Sequence, residues 1–278
     1  MADQYPKKPL FSPPPGSCDC HAHIFGPEKY PYATNRSYTP PDALLSSYTS
    51  LLTTLGIDRA VIVQPSVYGT DNRATLDAVQ KGGKNFRGVV VIDENITSSE
   101  LAQMHDIGVR GVRFNLLFKG GITLSAVHHV AEKIKNLGWH IQFLVDVSSF
   151  PDLDVLQKLP VDLVFDHMGH LDTRKGVNNP GFITMLKMLE SGKAWVKLSA
   201  PYRLSCTGYP YQDITPFIKA ILKTNPEKAV WATDWPHPAI RTPLPNDGDL
   251  LNLLVDWVPQ QEVRQAVLVN NPSKLYGF

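Results

Sequence analysis

Eight short, nearly continuous apolar runs recur along this chain, each followed by a turn and most by a helix-like stretch. They are Cys18–Ile24, Ala60–Gln64, Gly88–Ile92, Gly111–Leu116, Ile141–Val145, Leu163–Phe165, Ala194–Leu198 and Ala229–Ala232. Apolarity that is continuous rather than alternating marks strands covered on both faces, as in a parallel sheet wrapped by helices. The stretches between them carry helix signals. Pro41–Leu55 contains Leu44, Leu45, Leu51 and Leu52, Asp71–Lys81 opens on a capping Asp, and Ser98–Asp106 has Ser98 and Ser99 placed to cap. Leu124–Leu137 puts Val127, Val130, Ala131 and Ile134 on one face and stops at Gly138. Asp152–Leu159, Phe182–Leu189, Ile214–Leu222 and Gln260–Val269 complete the series. Eight strand–helix units in roughly 250 residues is the count of a single-domain α/β fold, the (β/α)8 TIM barrel. An open doubly wound sheet is the alternative, but no G-x-G-x-x-G follows the first run. The Pro-rich residues 1–15 read as a flexible lead-in, and 16–278 as the barrel.

Composition narrows the function classes. Of 278 residues, 43% are hydrophobic and 19% charged, which excludes a disordered chain. Lys plus Arg is 27 against 26 for Asp plus Glu, so nothing in the charge invites nucleic acid or a membrane surface. There is no run of 18 apolar residues, and the opening MADQYPKKPLFSPPPGS lacks a signal-peptide pattern, so a cytoplasmic protein is expected. Cys18, Cys20 and Cys206 are too few for a disulfide framework, and Cys18 and Cys20 read as small core residues.

In a barrel, chemistry collects at the C-terminal ends of the strands. Those ends are polar here: His21-Ala22-His23 after strand one, Gln64-Pro65-Ser66 after two, Arg113-Phe114-Asn115 after four, Asp166-His167-Met168-Gly169-His170 after six, Lys197 and Ser199 then Tyr202-Arg203 on seven, and Thr233-Asp234-Trp235-Pro236-His237-Pro238 after eight. Each piece alone has an ordinary structural explanation. Asp166 could be a salt-linked partner, Asp234 a helix cap, Arg113 an ion pair at the barrel rim, and Lys197 an interior lysine paired to a carboxylate. Their joint occurrence at equivalent strand ends is what points to a site. The logic is hydrolytic: His21, His23, His167 and Asp234 can surround one water and one carbonyl. Asp234 is the base for the water, and the histidines either hold a divalent ion or donate hydrogen bonds to the carbonyl. Arg113, Arg203 and Lys119 supply charge for an anionic substrate.

The H-x-H, D-H-M-G and T-D-W-P-H motifs resemble those of the amidohydrolase superfamily, in the amidohydrolase-related family 2. Pro13-Pro14-Pro15-Gly16, Phe25-Gly26-Pro27, Gly69-Thr70-Asp71-Asn72, Gly111-Val112-Arg113-Phe114-Asn115 and Asn271-Pro272 with Leu275-Tyr276 resemble its branch of pyrone-dicarboxylate lactonases and sulfomuconolactone hydrolases. The likeness runs from about Pro13 to Tyr276. It implies hydrolysis of a carboxylated or sulfonated lactone in aromatic or sugar-acid catabolism. It also implies that His21, His23 and His167 polarise the carbonyl, that Asp234 activates water, and that Tyr38, Ser66, Arg113 and Arg203 hold the substrate. His170, His237 and Lys119 join that set by position. The implied partner is a small anionic lactone, with no nucleic acid or membrane; the oligomeric state is not set.

The chain departs from the pyrone-dicarboxylate pattern. A second arginine after R-F-N is replaced by Phe118-Lys119, the arginine after D-H-M-G by His170, a strand-five tyrosine is missing among Gln142, Phe143 and Leu144, and an asparagine after D-W-P-H-P is Ala239. A less highly charged lactone is therefore expected. A two-metal site is not expected, because strand four offers Arg113 and strand five has no histidine at its C-terminal end. The resemblance implies that no cofactor is required; the alternative is one divalent ion, such as zinc, on His21, His23 and Asp234. Rival activities are a sugar-acid lactone isomerase, a metal-dependent decarboxylase, or a barrel that only binds its ligand. His105, His128, His129 and His140 read as surface or structural.

Overall fold

The computed structural model describes residues 5–117, 124–150, 153–240 and 243–278. Eight parallel strands stand in sequential order: β1 (Cys18–Ala22), β2 (Arg59–Val63), β3 (Phe86–Val90), β4 (Val109–Asn115), β5 (His140–Leu144), β6 (Leu163–Phe165), β7 (Ala194–Ser199) and β8 (Ala229–Ala232). The sheet closes through residues just past β8: Asp234 N–H donates to the His21 carbonyl at 2.9 Å, and His23 N–H to the Trp235 carbonyl at 2.8 Å. The expected (β/α)8 barrel is thus the fold. No helix among the described residues is long and apolar enough to cross a membrane.

Around the strands lie α1 (Leu45–Leu55), α2 (Arg73–Gly82), α3 (Ser98–Ile107), α4 (Leu124–Ile134), α5 (Pro180–Glu190), α6 (Thr215–Thr224), α7 (Asp247–Trp257), α8 (Gln261–Gln265) and α9 (Asn271–Tyr276). The departures from expectation are local. Helix α1 starts late because Ala43 pairs with Phe25 and holds the preceding chain extended. Asp71 stands one residue before the N-cap position, Asn72, and its carboxylate accepts from both the backbone N–H and the guanidinium of Arg73, the first residue of α2. Thr97, not Ser98 or Ser99, caps α3, in a reciprocal box with Glu100. Between β5 and β6 the described residues hold a 3₁₀ segment, Leu153–Lys158, and no α-helix. Asp152 lies outside the described residues. Helix α7 was not anticipated, although Leu250, Leu251, Leu254 and Trp257 give it a buried stripe behind the cap Asn246.

The lumen is a packed core. Cys18, Cys20, Val61, Val63, Val89, Val164, Trp195, Val230 and Ala232 fill it, and Tyr276 of α9 joins the same cluster. The expectation that Cys18 and Cys20 are core residues holds: both are fully buried and unpaired. His140 is also buried, on β5, and packs against Gly111 of β4, where any Cβ would come within 2.5 Å of its Nε2. His128 and His129 are exposed, and His105 accepts from Trp139 Nε1.

Candidate active site

The pairing of β1 with β2 shifts register between Asp19 and Ala22. Such an irregularity re-aims side chains. Past it, His21 and His23 face one another with their Nε2 atoms 3.2 Å apart. Asp19 anchors the turn from below: its carboxylate accepts from the backbone N–H groups of His21 and Thr233, the Thr233 hydroxyl and the Tyr48 hydroxyl. Burial still pushes the Asp19 carboxyl up, to about 6, against those four donors.

Left-handed backbone gathers at two strand ends. After β6, His167, Met168, Gly169 and His170 have φ between 50° and 75°; after β8, Asp234, His237 and Ala239 have φ between 60° and 64°. Non-glycine residues rarely adopt this region, and such strain concentrates at functional sites. Here it turns the imidazole of His167 and the carboxylate of Asp234 toward the pair on β1. Asp234 Oδ1 stands 3.8 Å from His21 Nε2, 3.8 Å from His23 Nε2 and 3.6 Å from His167 Nε2. Its other oxygen, Oδ2, is taken by the Tyr202 hydroxyl at 2.7 Å and by Arg203 Nε at 2.8 Å. Asp234 caps no helix.

These groups open into a cavity lined by His23, Tyr38, Ser66, Arg113, Asn115, Leu144, His167, His170, Arg203, Asp234, Pro238 and Ala239. Most of the expected site residues therefore meet at one place. His21 lies just beneath, fully buried. His237 does not line the cavity: its Nδ1 meets the Tyr202 hydroxyl at 2.9 Å, and its Nε2 stands 3.2 Å from Asp247. Lys119 lies outside the described residues. Asn115, Leu144 and Tyr202 were not singled out, although Asn115 sits in the R-F-N motif and Tyr202 beside Arg203.

Under the cavity is a fully buried polar layer that the sequence reading did not assemble. Asp166 Oδ1 is 3.2 Å from His21 Nδ1 and 3.4 Å from Lys197 Nζ; its Oδ2 accepts from Gln142 Nε2 at 3.0 Å and lies 3.4 Å from Arg113 Nε. Lys197 Nζ in turn donates to Gln142 Oε1 at 2.7 Å. His167 Nδ1 meets Ser199 Oγ at 2.9 Å.

The electrostatics follow from burial and these partners. Burial pushes the Asp166 carboxyl up, but His21, Lys197 and Arg113 outweigh it and hold it well below the usual carboxylate range. Burial acts likewise on Asp234, and Arg203 with the three histidines overcomes it. Burial lowers His23 to about 4, helped by Arg113, and His167 to about 3; it also takes His21 well below its ordinary value. The imidazoles are neutral near pH 7. Asp166 and Asp234 then stand against Arg113, Arg203 and Lys197, and the two arginines line the cavity itself.

Two groups of side chains bring ligand atoms close enough for one ion: His21, His23 and Asp234, and His21, Asp166 and His167. The spacing suits a divalent cation. The surroundings do not: three side-chain cations already neutralise the two carboxylates, and Asp234 Oδ2 is fully engaged.

A sequence model of the amidohydrolase family matches residues 18–278. Over 98% of this chain and 93% of its own length, a 2-pyrone-4,6-dicarboxylate hydrolase of Comamonas testosteroni is 39% identical. A 4-sulfomuconolactone hydrolase of Hydrogenophaga intermedia is 37% identical over 100% of this chain and 94% of its own. Among solved structures, an apo protein of Agrobacterium tumefaciens superposes with a TM-score of 0.88 at 31% identity, covering 97% of this chain and 98% of that one. The chain belongs to the amidohydrolase family.

Proposed function

We propose that this chain is a hydrolase that opens a small carboxylated or sulfonated lactone, in aromatic or sugar-acid catabolism, by attack of water on the ring ester carbonyl. The observation that carries the reading is the division of labour at Asp234. One oxygen is locked by Tyr202 and Arg203, and the other is presented to the cavity floor among three imidazoles. Asp234 takes a proton from the attacking water while the water oxygen bonds to the carbonyl carbon. Charge builds on the carbonyl oxygen, where the ring N–H of His167 at the cavity wall meets it. Collapse breaks the ring C–O bond, and the leaving oxygen takes the proton back from Asp234. If a substrate hydroxyl replaces water, the same steps give an isomerised lactone.

His23 has a different part. Its Nδ1 is 2.7 Å from the Val63 carbonyl, which only accepts, so a neutral His23 keeps its proton there and presents a lone pair from Nε2. We assign the reaction no metal. Were an ion held, His21, His23 and Asp234 would be its ligands, and it would polarise the carbonyl. Arg113, Arg203, Ser66, Tyr38 and His170 face the cavity and make up the anion clamp in this reading. His237 backs Tyr202. Two buried unpaired cysteines and a third on the surface suit a reducing, cytoplasmic compartment.

Arg113→Met is expected to raise KM strongly, an effect of about 2–3 kcal/mol for a lost charged hydrogen-bond pair. KM and kcat both near wild type would leave Arg113 as only the partner of Asp166. The activity itself is tested by following ring opening, by ultraviolet absorbance, across muconolactones, pyrone carboxylates and aldarolactones. Pyrone dicarboxylate is expected to be a poor substrate. His170 and Ala239 line the cavity, where the pyrone-dicarboxylate pattern has arginine and asparagine. With the arginine replaced at Lys119 and the missing strand-five tyrosine, four contacts to the substrate carboxylates depart from the pattern; losing two hydrogen bonds to a charged group at about 1.5–3 kcal/mol each costs roughly two to four decades in kcat/KM. A value near ~10⁶ M⁻¹s⁻¹ for pyrone dicarboxylate would show that these departures do not matter. No ring opening on any of these lactones, with or without product isomerisation, would overturn the lactonase reading.

A further inference from the structure

The layer beneath the cavity holds a chain of hydrogen bonds whose direction can be worked out atom by atom. It starts at His23, whose proton is fixed on Nδ1 by the Val63 carbonyl, so His23 Nε2 is an acceptor. His21 Nε2 is 3.2 Å from that lone pair. On the far side of the same ring, His21 Nδ1 has two neighbours of opposite kind. Lys197 Nζ, 3.2 Å away, is a donor as an ammonium; Asp166 Oδ1, also 3.2 Å away, is an acceptor as a carboxylate.

Two tautomers of His21 follow, and they differ in what else they require. With the proton on Nε2, the chain runs from Lys197 to His21, from His21 to His23 and from His23 to Val63, and every donor meets an acceptor. With the proton on Nδ1, His21 donates to Asp166. Two Nε2 lone pairs then face each other at 3.2 Å, and the Lys197 ammonium faces an N–H. A metal ion, or an added proton, between the two Nε2 atoms relieves that arrangement. The tautomer of His21 therefore separates a potential metal site from a closed hydrogen-bond chain.

Lys197 is placed to decide between them. It is fully buried, extends from β7 into the lumen, and is anchored to Gln142 Oε1 at 2.7 Å. Asp166, the competing acceptor, is shared with Arg113 and Gln142 as well as Lys197. We propose that Lys197 is a positioning residue that holds His21 with its proton on Nε2, donated to His23, so that the two histidines are joined to each other and do not ligate a metal ion. Lys197 supplies internally the positive charge that an ion would bring. The inference rests on the metal-free reading above, but it concerns the resting protein and does not depend on which lactone is turned over.

The test uses the full chain labelled with ¹⁵N-histidine, without substrate or added metal. Long-range proton–nitrogen correlations, with His21 assigned by its absence in His21→Gln, should show His21 protonated on Nε2. Zinc is then titrated into wild type and into Lys197→Met, with bound metal measured after desalting. Wild type should hold no stoichiometric zinc. Lys197→Met, in which Asp166 alone faces Nδ1, should take up one equivalent, at least about 10–100-fold more tightly, the scale by which groups behind a ligand tune metal affinity. In that variant His21 should carry its proton on Nδ1. A wild-type His21 protonated on Nδ1, or zinc binding equally tight in both proteins, overturns the proposal. Should Lys197→Met fail to fold, the wild-type tautomer alone decides. Absence of lactone hydrolysis with His21 protonated on Nε2 would count against the proposed activity and leave the role of Lys197 standing.

Discussion

Replacing Asp234 with Asn lowers kcat by about a hundredfold or more, the scale for removing a general base, while substrate still binds. The exchange is close to isosteric, and the local bonds say which way the amide turns. Tyr202 and Arg203 both donate to Oδ2, so the amide oxygen stays there and the NH₂ group faces the three imidazoles. The loop keeps its anchor, and the atom that would have accepted the proton of water becomes a donor. Steady-state kinetics on any lactone found active, with a binding measurement beside it, decides the matter. Turnover above a tenth of wild type would remove Asp234 from the role of base.

Asp166→Asn has its largest effect on stability. The carboxylate is fully buried and is the shared counterion of Lys197 and Arg113, themselves buried. Without its charge, two cations remain beside each other in the barrel, and breaking a buried pair in this way costs about 3–5 kcal/mol. For a domain of this size that is a fall in Tm on the order of 10 °C. The loss should change little with added salt, because ions in solution do not reach the layer. A fall of less than about 2 °C, under a kcal/mol or so, would show that the two cations do not need this carboxylate.

The contrast between Asp234 and Asp166 marks what was legible in the sequence. Asp234 is announced by its surroundings, T-D-W-P-H at a strand end, and His21, His23 and His167 are announced in the same way. Strand ends in a barrel converge, so local motifs suffice to place them together. The layer of Gln142, Asp166, Lys197 and His21 has no such signal, because its bonds join single side chains at β5, β6, β7 and β1, and no local motif says which of them meet. The sequence allowed Lys197 to be an interior lysine paired with a carboxylate but could not say with which one. Arg203 shows the same limit: it reads as a substrate clamp, yet Nε and one terminal nitrogen are spent on Asp234 and the Pro238 carbonyl. The strands were legible because short continuous apolar runs, bounded by turns and alternating with helical stretches, fit strands covered on both faces. Helix α7 was overlooked although its stripe is plain, and where an α-helix was expected between β5 and β6 the described residues form a 3₁₀ segment.

The seam that closes the barrel is made by the backbone of His21, His23, Asp234 and Trp235. The N-terminal strand and the segment after the C-terminal strand thus meet at the very residues proposed to do the chemistry. His21 and His23 are separated from Asp234 by more than two hundred residues, so no fragment lacking either β1 or the segment after β8 contains an assembled site. Catalysis and circular closure become one event, so recovery of activity on refolding reports directly on the joining of the first strand to the last.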